Sequence, residues 1–116
     1  VNGAPSGKWN LAPFDNSWPC SLFASQDGVA IDAVGLDFLT SEFPKMPDVD
    51  YCDMYLVEAA MAENPLSGTV YDPEGDGTPL RSLGVFEHWD NPTDKRYSRN
   101  LGRDEGIELI YKNSNK

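Results

Sequence analysis

His88 is the single histidine of this chain, and the two cysteines, Cys20 and Cys52, stand far apart in apolar contexts, "WPCSLF" and "DYCDMYL". Zinc sites draw on three or four nitrogen and sulfur ligands, and iron–sulfur clusters on closely spaced cysteines, so this supply builds neither. The cysteines read as buried free thiols, with a Cys20–Cys52 disulfide as the alternative in an oxidising compartment. Cations are scarce as well. The 9 Lys and Arg against 19 Asp and Glu leave a net charge of −10, which repels phosphate backbones and anionic bilayers and argues against nucleic acid or membrane as partners. No apolar run approaches the ~20 residues of a spanning helix, and the opening "VNGAPSGKWN" has neither a basic start nor an apolar stretch. Glycine-rich dinucleotide loops, P-loops, GxSxG elbows and HExxH helices are all missing, which removes support for phosphate cradling and for the common hydrolase mechanisms.

What is present is enough to fold. A hydrophobic fraction of 40% with 11% aromatics exceeds what a disordered acidic tail carries, and 116 residues suit one domain with one core. Residues 1–16, punctuated by Gly3, Pro5, Gly7 and Pro13, read as an irregular arm whose Trp9 and Phe14 pack onto something. Residues 17–64 read as a strand and two helices. "WPCSLFAS" is the strand; Ala30, Ile31, Val34, Phe38 and Leu39 recur at helical spacing and predict a helix over residues 28–42, capped by Ser25 or Asp27 and stopped at Pro44. The second helix follows "KMPDVD", with Asp48 or Asp50 as its cap, with Cys52, Tyr55, Leu56, Ala59 and Ala60 on one face, and with Asn64-Pro65 as its stop. Residues 65–116 read as a β-and-loop tail in which "LGVFEHW" and "GIELIYK" are strands. The expected class is α/β, a single compact domain that forms part of a larger α/β protein.

The densest chemistry lies in "YDPEGDGTPLRSLGVFEHWDN", residues 71–91. Asp72, Glu74 and Asp76 followed by Gly77 match the first half of a calcium-binding EF-hand loop, but the position that needs a bidentate Glu holds Leu83. A looser calcium site on Asp72, Glu74 and Asp76 remains as one reading. The other is a turn in which Asp72 bonds its own backbone and Gly75 and Gly77 take positive φ. His88 reads as a hydrogen-bonded structural side chain or as an acid/base group, with Glu87 turned to the opposite face. On the first helix Asp27 caps, Asp37 faces solvent, and Asp32 sits at the margin of the apolar face, where a carboxylate must pair or line a pocket. The cluster Lys95, Arg96, Arg99 and Arg103 reads as counter-charge or as an anion site, so the candidates for a catalytic set are Asp32, His88 and Arg99.

The opening of the first helix (Asp27, Val29, Ala30, Asp32) and the block Leu83 to Trp89, Asn91, Asp94, Lys95 and Tyr97 to Gly102 resemble the C-terminal portion of the domain of unknown function family 362. The likeness runs over nearly the whole chain from about Trp9. It implies an α/β protein whose N-terminal part is a partner of this segment, and a periplasmic or exported location. Some members carry ferredoxin-like modules; this chain has no CxxCxxC run, so no cluster carries over. Two functional expectations result. One is a structural or ligand-binding module of a larger extracytoplasmic protein, with calcium as its one candidate cofactor. The other is part of an enzyme site completed by the N-terminal region.

Overall fold

The computed structural model describes residues 7–98 and 106–113, and its regular elements are two helices, α1 (Gly28–Glu42) and α2 (Val49–Ala60). Helix α1 begins where Asp27, in an extended conformation, accepts a hydrogen bond from the Ala30 amide at 2.8 Å. That bond satisfies one of the amides a helix start leaves open. The helix ends at Phe43, whose amide donates to the Leu39 carbonyl just before Pro44. It is the better buried of the two helices, with Val29, Ala33, Val34, Leu36, Asp37 and Phe38 all inside.

Helix α2 is a thinner cover. Asp48 precedes it in the left-handed region, with φ 64°, and makes no side-chain cap bond. Ala60 is buried, and Leu56, Val57 and Ala59 pack beside it onto Val29, Ala33 and Phe86. Of the face expected to pack, Cys52 and Tyr55 instead point to solvent. Both cysteines are exposed and free, which corrects the reading of buried thiols and shows no Cys20–Cys52 disulfide.

A second cluster gathers Val34, Phe38 and Trp89, with Trp9, Phe14, Tyr97, Ile107 and Leu109 against it. The rings of Phe38 and Trp89 meet edge to face at 4.9 Å, and Phe14 meets Phe38 at 5.8 Å. The irregular arm therefore packs on α1. Its backbone is tied there too, because the amides of Asn10 and Leu11 donate to the Glu42 carboxylate.

The expected α/β class is wrong. Among the described residues there is no β-strand, only an isolated antiparallel bridge between Trp9 and Ser17. "WPCSLFAS", "LGVFEHW" and "GIELIYK" are all irregular. The physical reason is where the amides go. In residues 83–89 the Leu83 amide donates to the Ala59 carbonyl, the Val85 amide to Asp27 Oδ2, and the Trp89 amide to Asp37 Oδ2, each at 2.9 Å. The Ile107 amide donates to Glu87 Oε1 at 2.7 Å. Helix ends and carboxylates take the place that a neighbouring strand's carbonyls would hold in a ladder. Side-chain alternation survives without a sheet: Ile107 and Leu109 pack inward while Glu108 and Ile110 face out.

Candidate functional site

Asp37 sits in the middle of α1, only 3% exposed, where an unpaired carboxylate would be costly. Its two oxygens are fully engaged. Oδ1 lies 2.6 Å from His88 Nδ1, and Oδ2 accepts from the Trp89 amide and from the Tyr97 hydroxyl, each at 2.9 Å. The placement of Asp37 toward solvent is therefore overturned. The signal was present in the sequence, since Asp37 stands three residues after Val34 and directly before Phe38, both on the buried face. What the sequence could not show was a set of donors supplied by residues 88–97.

The other imidazole nitrogen of His88, Nε2, lies 3.1 Å from Oδ1 of Asp53 on α2, at ion-pair distance though not aligned as a hydrogen bond. His88 thus bridges the helices, with its side chain 38% exposed. Burial by itself lowers the imidazole pKa, but the hydrogen bond and charge of Asp37, with the charge of Asp53 added, outweigh it and raise the pKa above 6.5. Tyr97 is held protonated well above its ordinary value, first by burial and then by the charge and hydrogen bond of Asp37 and the charge of Glu87. Glu87 is 2% exposed; its Oε2 finds no hydrogen-bond partner among the described residues.

The expected catalytic set does not assemble. Asp32 is exposed and takes no part in the His88 cluster, and Arg99 lies outside the described residues. Asp37 occupies the role assigned to Asp32. As for chemistry, each imidazole nitrogen faces a carboxylate, Nδ1 in a hydrogen bond with Asp37 and Nε2 at ion-pair distance from Asp53.

Asp72, Glu74 and Asp76 form a closed turn. Asp72 accepts from the amides of Gly75 at 2.9 Å, Asp76 at 3.3 Å and Gly77 at 2.7 Å, and Asp76 accepts from Thr78 at 2.8 Å. Gly75 and Gly77 have φ of 68° and 82°, as the turn reading requires. No group of three or more His, Cys, Asp or Glu positioned to hold a metal occurs among the described residues.

A concavity lies elsewhere. An open groove of about 1050 Å³ runs between residues 12–25 and 106–113, floored by Val34 and Phe38 of α1. Its edges carry uncovered apolar side chains: Trp18 is 58% exposed, Leu22 95%, Ile110 69% and Tyr111 60%. Lys95 stands over the Phe38 and Trp89 rings at 6.0 and 5.7 Å from their centroids. No family model, no curated protein and no solved structure matches this chain.

Proposed function

We propose that the chain is a structural module that works by being seated against another polypeptide, as part of a larger assembly. The observation that carries this reading is the groove edged by Trp18, Leu22, Ile110 and Tyr111, since soluble surfaces rarely leave large apolar side chains grouped around one concavity without a partner. The carboxylates fit the same role. Asp27, Asp37 and Glu42 each tie backbone amides of irregular segments to α1, and Glu87 ties the Ile107 amide to the segment before Trp89, which holds the groove in shape without a sheet. Membership in the domain of unknown function family 362, with an N-terminal part of the same protein as the partner, belongs to this proposal. A contribution to an enzyme site is the lesser reading. The His88 pair with Asp37 favours it, and a carboxylate facing each ring nitrogen weighs against it.

A hydrophobic dye tests the assembly reading. The free protein should enhance its fluorescence, and Leu22→Ser with Ile110→Ser should reduce that signal while leaving Tm unchanged. A free protein that binds no dye has no open apolar face, and the reading then falls.

A further inference from the structure

Building on the assembly reading above, we infer that the groove seats one extended strand of a different polypeptide, apolar on alternate residues and neutral or cationic in charge. The class of occupant follows from the backbone at the groove's edges. From Glu108 to Lys112 no backbone amide or carbonyl makes a hydrogen bond with another described residue, and the same holds from Leu22 to Ala24. Cys20, with φ 26°, interrupts the first stretch, so the usable edge there begins after it. A lipid tail or an apolar small molecule filling the groove would displace water from these groups and leave them unpaired, which is costly. A second backbone satisfies them in series, as when a peptide adds to an open strand edge.

Residues 106–112 are already patterned for such a partner. Ile107 and Leu109 are anchored on the core, and the Ile107 amide is held by Glu87, so Glu108 and Ile110 are presented outward at the two-residue period of a strand. The occupant need not order this edge from a free coil. Charge selects against a second copy, because two chains of −10 repel on approach. A neutral or lysine-bearing strand meets no such barrier.

The test uses the whole chain and a blocked peptide of alternating valine and lysine, about eight residues long, within the usual range of strand lengths. Amide exchange is measured by mass spectrometry with and without peptide, at low and high salt. We expect protection at residues 22–24 and 108–112 that persists at high salt. The same peptide N-methylated on alternate residues should bind roughly tenfold more weakly or worse, since several backbone hydrogen bonds are lost. Leu22→Pro, which deletes one edge amide at a fully exposed position, should weaken binding with Tm unchanged.

Equal binding of the N-methylated peptide overturns the strand geometry but leaves the assembly reading standing, because the apolar face is then covered by side chains alone. Binding that vanishes at high salt overturns the proposal as mere charge attraction. Concentration-dependent protection of the same amides without peptide, with a dimer in sedimentation, assigns the groove to a second copy and also overturns it. No protection under any condition, with dye still bound, likewise removes the strand and spares the assembly reading.

Discussion

His88 Nδ1 lies 2.6 Å from Asp37 Oδ1, so a half-exposed imidazole is paired with a carboxylate buried in the middle of a helix. That contact, with Asp53 on the other nitrogen, joins α1, α2 and the segment between Phe86 and Trp89 at one point. It is also the place where solution pH reaches the interior.

Stability should fall as pH rises through neutrality. The folded-state pKa of His88 is raised above its unfolded value of 6.5, so its contribution is fully present below that value and is lost as pH passes the folded pKa. Melting curves from pH 5.5 to about 8.5 should show a declining Tm, and His88→Asn should flatten the decline. A variant with the same slope as the parent would locate the effect elsewhere.

Asp37→Ala should destabilise by about 3 kcal/mol or more, because the Trp89 amide and the Tyr97 hydroxyl lose their acceptor and His88 loses its inner partner. Asp32→Ala, on the exposed side of the same helix, should stay within about 0.5 kcal/mol of the parent. Urea unfolding of the two variants side by side measures the contrast. Similar values for both would contradict the buried network.

Asp27 and Gly84 form a second tie. Asp27 caps α1 through Oδ1 and holds the Val85 amide through Oδ2, and a Cβ built on Gly84 would run into Asp27 Oδ1. Gly84→Ala should therefore cost on the order of 1–3 kcal/mol as the loop is pushed off the cap. Asp27→Ala should cost about 1 kcal/mol for the cap and more for the released amide. In the double variant the costs should fall short of their sum, since both break one contact.

Calcium at millimolar concentration should leave Tm unchanged. The Asp72 carboxylate already accepts from three backbone amides of its own turn, and a cation would have to displace them. A rise in Tm that chelator reverses would restore the metal reading, because binding to the native state stabilises it by mass action.

Local chemistry was legible in the sequence wherever it closed on itself. The helix over residues 28–42, its Asp27 cap, its end before Pro44 and the Asp72 turn all depend on neighbours within a few positions. The same reading misplaced Asp37, because its partners lie more than fifty residues away and nothing in "VGLDFL" announces them. It also read strands into residues 18–25, 83–89 and 106–112. Apolar alternation is real in residues 106–112, but residues 18–25 are exposed almost throughout and Phe86 and Glu87 are buried side by side, and an apolar pattern does not say whether a second backbone lies alongside.

By itself, then, the sequence determined the two helices, the bounds of the first, the acidic balance and the turn glycines, since each follows from propensity, capping and charge within a short window; α2 ends at Ala60, short of the expected Asn64-Pro65 stop, and takes no side-chain cap from Asp48. The tertiary structure decided which carboxylates are buried and what they hold. Asp37 rather than Asp32 meets His88, and Glu87 takes the Ile107 amide that a sheet would otherwise have claimed. The physical reason is that a buried carboxylate must find its donors in space, and only the folded chain brings residues 37, 53, 88 and 97 within reach of one another.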